Sequence, residues 1–272
     1  MTKPELAVWT AYYIELSPEE AVTEMKKHGI TAAELSDEHG EMLLRRGDPV
    51  KTGEEFRAFL EKEQFTMTQG HLWLHIRLCS DPEAFEKLCP WLDLYHAIGI
   101  RCGVLHVDSL RGEPALTEEE RMERNISVLR KVDEYLGERD FQVCLENVGG
   151  IAASAEQLNT MIDRLGDRHF AVCLDTGHLN LAADKDQVRF IETVGSRLRA
   201  LHIADNEGER DQHLMPFGRG NIDFIKIAAA LRQIGYAGLF NLEIPGERLA
   251  PMPVRGYKLE YIRKCYDYLF SL

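Results

Sequence analysis

Six apolar segments of this 272-residue chain run into a histidine or a carboxylate at their C-terminal ends. In order these residues are His71, His106, Glu146, Asp175, His202 and Glu243. Such groups do two kinds of chemistry: they hold a divalent cation, or they move a proton. Each has a plain alternative when taken alone. A single His at the end of an apolar run is ordinarily a satisfied polar side chain, and a single Glu ordinarily pairs with an arginine or a helix N-terminus. Two Glu and an Asp packed together are different, because they repel unless protonated or bridged by a cation. Glu146, Asp175, His202 and Glu243 therefore make a divalent-metal site if the fold aims them at one point. His178 lies three residues past Asp175, and Asp211 and His213 form an Asp-x-His pair in the loop after His202. With His71 and His106, these are candidates for additional metal or substrate contacts.

What would aim them at one point is the rhythm of the chain. Short apolar runs at 6–13, 30–35, 65–74, 102–107, 141–146, 170–175, 198–203 and 239–244 alternate with helical patterns. Ser17-Pro18-Glu19-Glu20 is a capping box with Pro at the first helical position, and the helix stops at Gly29. A long polar connection, 36–53, precedes a helix over 54–64. Asp81-Pro82 opens the next helix, which ends near Gly99. Thr117, Ser154 and Asp223 cap three more, another helix contains 186–194, and the closing helix over 254–270 places Tyr257, Tyr261, Cys265 and Leu269 on one stripe. Eight strands and eight helices in this length predict an α/β fold, a (β/α)8 TIM barrel forming one domain over 1–272. A doubly wound sheet is the alternative, but Tyr12-Tyr13-Ile14-Glu15 after the first strand is no glycine-rich phosphate turn. Barrel enzymes carry their chemistry at the C-terminal ends of the strands, where all six residues lie. Cys144 and Cys173, two residues before their carboxylates, are expected to fill a barrel layer beneath them.

Composition narrows the partners. A net charge of −13 argues against a polyanion such as nucleic acid, which ordinarily leaves a basic footprint. The six cysteines form no C-x-x-C pair, and no apolar run approaches the roughly 18 residues of a membrane span. With no basic-then-apolar targeting pattern at the start, a soluble cytoplasmic protein is expected.

The pattern resembles the xylose-isomerase-like TIM barrels, a superfamily that includes sugar 3-epimerases, inosose-type enzymes and endonuclease IV. The likeness covers essentially the whole chain. It is carried by Leu145-Glu146-Asn147, Asp175-Thr176-Gly177-His178, His202-Ile203-Ala204-Asp205, Asp211-Gln212-His213 with Gly218-x-Gly220, and Glu243. In the sugar epimerases, residues matching Glu146, Asp175, His202 and Glu243 hold one divalent metal. The two Glu act as acid and base on opposite faces of the substrate carbon, and the residue matching His178 touches the substrate. The endonuclease IV branch holds three zinc ions. Its nine ligands match in type His71, His106, Glu146, Asp175, His178, His202, Asp211, His213 and Glu243. The surrounding words depart from that branch: His106 is followed by Val107-Asp108-Ser109 where the nuclease pattern has Pro-Gly-Ser.

The resemblance therefore implies an isomerase or epimerase of a small sugar or related carbonyl compound, using one Mn²⁺, Zn²⁺, Co²⁺ or Mg²⁺ and up to three. Glu146 and Glu243 would be catalytic, with His178 and Arg219 as substrate contacts. For Arg219 and Arg248 an ordinary ion pair is the alternative to meeting a phosphate. A multi-zinc phosphodiesterase acting on abasic DNA and a non-catalytic metal- or sugar-binding barrel are the rival readings. Substrate choice is expected to depend on the loops 36–53, 71–80, 108–116 and 248–254. Many relatives form dimers or tetramers, so a homo-oligomer fits the pattern.

Overall fold

Eight parallel strands alternate with helices in the computed structural model of the protein, which describes residues 3–107 and 116–272. The strands are β1 (Glu5–Trp9), β2 (Ala32–Leu35), β3 (Thr66–His71), β4 (Cys102–Leu105), β5 (Gln142–Glu146), β6 (Phe170–Asp175), β7 (Leu198–His202) and β8 (Leu239–Leu242). The order around the sheet is β7-β6-β5-β4-β3-β2-β1-β8. A parallel bridge between Ile203 and Leu242 joins its two edges. There Ile203 N–H donates to the Asn241 carbonyl (2.8 Å) and Glu243 N–H to that of Ile203 (3.1 Å). The sheet thus curls into the expected (β/α)8 barrel.

Side chains alternate along each strand, so one face packs under the helices and the other fills the interior. Small interior residues make this possible. Val104, Cys144, Ala171, Cys173 and Ala200 form one cluster, and Ala7, Ala32 and Leu239 another. Cys144 and Cys173 sit in that layer, as read from their spacing.

Among the described residues, ten α-helices accompany the strands. They are α1 (Pro18–Lys27), α2 (Asp37–Leu44), α3 (Pro49–Glu63), α4 (Ala84–Ile98), α5 (Glu118–Leu136), α6 (Ala155–Leu165), α7 (Thr176–Leu181), α8 (Gln187–Val194), α9 (Phe224–Gln233) and α10 (Met252–Leu269). The capping boxes at Ser17, Thr117 and Ser154 are all formed. The polar connection 36–53 is instead largely helical. Ser36 accepts from His39 N–H to start α2, and Asp48 accepts from Lys51 N–H, with Pro49 following it, to start α3. Its polarity reflected caps and an exposed face, and α2 buries only Asp37, His39, Gly40 and Leu43, too few apolar groups for a visible period.

Other boundaries, and one helix face, also differ. β1 ends at Trp9 and passes into a 3-10 turn, Thr10–Tyr13. β3 ends at His71, not Leu74. On α10 the buried stripe is Arg255, Leu259, Ile262, Tyr266 and Leu269, while Tyr257 and Tyr261 are exposed. Two helical stripes of similar apolarity lie one position apart, and tyrosine tolerates either side. No helix among the described residues is long and apolar enough to cross a membrane. The expected substrate loop 108–116 lies, apart from Leu116, outside the described residues.

Candidate active site

The C-terminal ends of the strands place the ligand set around one mouth. His71, Glu146, Asp175 and His202 are the last residues of β3, β5, β6 and β7, and His106 and Glu243 stand one residue beyond β4 and β8. Glu146, Asp175 and His202 are fully buried, and His71 and Glu243 nearly so.

Glu146 is the hub. Its Oε2 lies 3.1 Å from His106 Nε2, 3.2 Å from His202 Nδ1 and 3.6 Å from His71 Nε2. Its Oε1 lies 3.0 Å from His178 Nδ1. Glu243 Oε2 is 3.1 Å from the same His202 Nδ1. Two carboxylate oxygens flanking one nitrogen are at most about 6 Å apart, which costs at least about 3 kcal/mol at an effective dielectric near 20 if nothing positive lies between them.

Asp175 has two jobs on its two oxygens. Oδ1 accepts the His178 backbone N–H at 2.6 Å and so caps α7, a short helix the apolar pattern did not reveal. Oδ2 is buried and unpaired. Asn147 locks the strand end beneath it, donating to the Asp175 carbonyl (2.9 Å) and accepting its N–H (2.6 Å).

The loop after β7 brings in the rest. Asp205 and Leu214 exchange backbone hydrogen bonds of 2.8 Å, closing the segment between them. The Asp205 carboxylate also accepts the Ile222 N–H at 3.1 Å. Gly220 is required here, because a Cβ would stand 2.1 Å from that carboxylate. Asp211 Oδ2 then sits 3.0 Å from His213 Nε2 and 3.3 Å from His178 Nε2. His213 adopts a left-handed backbone (φ 45°), a costly conformation for histidine that lets Nδ1 reach the Glu243 carbonyl at 2.8 Å.

The cluster titrates as one body. Burial opposes charge on His71, but Glu146 raises it to about 9. Burial likewise opposes charge on His178 and His213, yet Asp175 and Asp211 lift the first to about 12, and Asp211 and Glu243 lift the second to about 10. Burial would raise Glu146, but His106 and His202 hold it well below the carboxylate range. Glu243, despite burial, is drawn down to about 2 by His202 and His213. Asp175 goes the other way, to about 6, through burial together with Glu146 and Glu243.

The donor set fits a divalent cation on this geometry. Among the described residues, four buried polar atoms at the mouth lack a hydrogen-bond partner: Glu146 Oε1, Asp175 Oδ2, His178 Nδ1 and His202 Nδ1. Ligand atoms converge within 4.8 Å in four overlapping triads: His71/Glu146/His202, Glu146/Asp175/His178, Asp175/His213/Glu243 and His178/Asp211/His213. Close approach without hydrogen-bond geometry is what a shared ion between lone pairs requires. Mixed imidazole and carboxylate donors suit Mn²⁺, Co²⁺ or Zn²⁺.

The xylose isomerase-like TIM barrel family matches residues 22–265 of this sequence. The chain belongs to that family. A D-psicose 3-epimerase from Enterocloster bolteae is 30% identical over 208 residues, 70% of this chain and 65% of that protein. An L-ribulose 3-epimerase from a Methylomonas species is 25% identical over 166 residues, 58% of this chain and 54% of the relative. The matched stretches thus span about half to two thirds of these relatives' length. Solved structures of similar fold cover more. A D-psicose 3-epimerase from Clostridium cellulolyticum H10, solved with D-tagatose, superposes with a TM-score of 0.80 over 97% of this chain and 99% of its own, at 18% identity. A 3-keto-D-glucoside 4-epimerase from E. coli gives 0.76 over 97% and 100%, at 16% identity. At such identities the likeness speaks for the family's fold.

All nine expected ligand types are brought to the mouth, but the four central ones are split among the triads: Glu146 with His202, Glu146 with Asp175, and Asp175 with Glu243. Arg219 is not among them: it is exposed and lies 3.6 Å from Glu207 Oε2, the ion-pair alternative. Among the buried polar residues that escaped the sequence reading, two stand under the site. Glu34 in β2 and Asn241 in β8 are fully buried beneath His202. The available signal was a lone carboxylate inside Ala32-Ala33-Glu34-Leu35, in register with the interior face.

Proposed function

We propose that the protein is a divalent-metal-dependent epimerase or isomerase of a small sugar or related carbonyl compound, acting by proton transfer at the carbon next to the carbonyl. The observation that supports it best is the pair Glu146 and Glu243, both buried, whose Oε2 atoms lie 3.2 and 3.1 Å from the same His202 Nδ1. The epimerase names among its relatives point the same way.

Glu146, Asp175, His202 and Glu243 would hold the cation, with His178 beside them. When bound, the metal would act as a Lewis acid toward the substrate's carbonyl and neighbouring hydroxyl. The chain's own groups do the rest. One of Glu146 and Glu243, as the carboxylate, takes the proton from the carbon; the other, supplied with a proton by the histidine beside it (His178 for Glu146, His213 for Glu243), returns one from the opposite face, inverting it. Burial keeps bulk water from quenching the intermediate carbanion. His178, on the rim of the cluster, offers an imidazole to a substrate hydroxyl.

The test is deuterium wash-in from D₂O at the carbon next to a ketose carbonyl, across a sugar panel, with the protein loaded with Mn²⁺ or Co²⁺. Stereospecific exchange is expected, and none across the panel would refute the reading.

One observation favours a second reading, a multi-zinc phosphodiesterase: His71, His106, His178, Asp211 and His213 stand around the four central ligands. Against a DNA substrate, the basic pair Arg45 and Arg46 is tied to Glu41 (2.7 Å) and Glu19 (2.6 Å). One metal per chain accords with the sugar reading, and three zinc ions with chelator-sensitive nicking of an abasic duplex would accord with the other.

A further inference from the structure

Glu34 takes no part in the chemistry proposed above, yet it is a fully buried carboxylate in the floor of the site. Burying such a group is costly unless its oxygens are satisfied. They are, and by two specific partners. Oε1 lies 3.0 Å from His202 Nε2, and Oε2 accepts from the Asn241 side-chain amide. The three residues come from β2, β8 and β7, so the chain Asn241–Glu34–His202 crosses the barrel interior. His71 stacks on the His202 ring with centroids 5.6 Å apart and planes 21° from parallel. The ring is thereby fixed in both tilt and rotation.

We infer that Glu34 is the positioning residue for His202, and Asn241 the brace that holds Glu34. With its acceptor at Nε2, the ring carries its hydrogen there and turns the Nδ1 lone pair toward Glu146 and Glu243. Outer partners of this kind set the orientation and tautomer of metal-binding histidines, and their loss typically weakens metal affinity by about 10–100-fold. The inference rests on the metal reading of the site.

The pattern of donors makes a discriminating test. Glu34 supplies two acceptors, one for His202 Nε2–H and one for the Asn241 amide. Glu34→Gln leaves one acceptor for two donors, at nearly unchanged volume. Adding Asn241→Asp restores the match in reversed polarity, since the new amide can donate to the new carboxylate while its oxygen accepts from His202. The measurement is Mn²⁺ and Co²⁺ affinity by calorimetry, with the cobalt visible spectrum as a readout of ligand geometry. Glu34→Gln is expected to bind about 10–100-fold more weakly with an altered spectrum, and the double variant to recover most of both. Equal affinity in wild type and Glu34→Gln would overturn the inference while leaving the metal site standing. A wild-type protein that binds neither ion would overturn the metal reading beneath it. If Glu34→Gln does not fold, Asn241→Ala decides: it keeps the carboxylate but frees it to rotate. A several-fold loss supports the inference, and unchanged affinity overturns it.

Discussion

The ligands at the mouth fall into two groups built in different ways. Glu146, Asp175, His202 and Glu243 project from or just past strand ends, are buried, and inherit their spacing from the barrel register, such as Asp175 opposite His202. His178, Asp211 and His213 stand on a short helix and a loop, and Asp211 is 37% exposed at its side chain. The inner group is as rigid as the sheet. The outer group depends on the Asp205–Leu214 closure, on Gly220, and on a left-handed histidine. A barrel can vary the outer group by changing one loop, whereas altering the inner one disturbs the core. The inner group is therefore the place for a step shared by many substrates, and the outer for what distinguishes them.

The largest effect should come from breaking the inner group. Glu146→Gln or Glu243→Gln should cut deuterium exchange by about 10³-fold or more, the ordinary worth of a general acid or base, with the fold intact by circular dichroism. Near-normal exchange in either variant would dismiss the two-carboxylate mechanism.

Metal removal comes next, and here pH separates the states. After chelation, His71 at about 9 and His213 at about 10 are held charged by carboxylates. A histidine raised on folding contributes stability fully present below its unfolded value near ~6.5 and lost as pH rises through the folded one. The chelated protein should therefore lose melting temperature on going from about pH 7 to about pH 10. A cation in the centre opposes the charge on these neighbouring imidazoles, so metal binding should tighten over the same range and release protons. Melting curves with and without chelator read both, and parallel pH profiles would count against a cation bound beside these histidines.

Asp211→Asn and His213→Ala probe the outer group. Under the one-metal reading, metal content stays the same and exchange falls by about 10-fold or less, mostly through KM. A drop from several ions per chain to fewer would transfer the outer group to a second metal site. The smallest effect is expected of Arg219→Ala. Arg219 is exposed, paired with Glu207 and outside the ligand cluster, so kcat/KM should change by under about 3-fold.

The inner group was legible in the sequence because strand-end position is a property of the barrel and each ligand ends an apolar run. β6 has the bounds read from its sequence, Phe170–Asp175, since both its faces are covered. Glu34 was not legible. A carboxylate one residue from the end of a four-residue strand looks like a solvent-facing terminus, and only the register of β2 turns it inward. Asn241, a neutral residue in an apolar run, gave no signal at all. The body of α3 was legible as a helix over 54–64, but α2 and the first turn of α3 were hidden because their caps and exposed faces look like loop. The tyrosines of α10 misled because amphipathic rings fit the outer stripe as well as the inner.

The joint between β7 and β8 is the narrowest in the barrel, a single bridge with two backbone hydrogen bonds, whereas β5 and β6 share four residue pairs. His202 and Glu243 flank that joint. An ion gripped by both would rivet the hoop where it is thinnest, so loading the centre should slow amide hydrogen exchange at Ile203 and Glu243 more than at β5 or β6. The same few atoms would then serve as reaction centre and as clasp, and the tightness of the barrel would become a readout of cation supply.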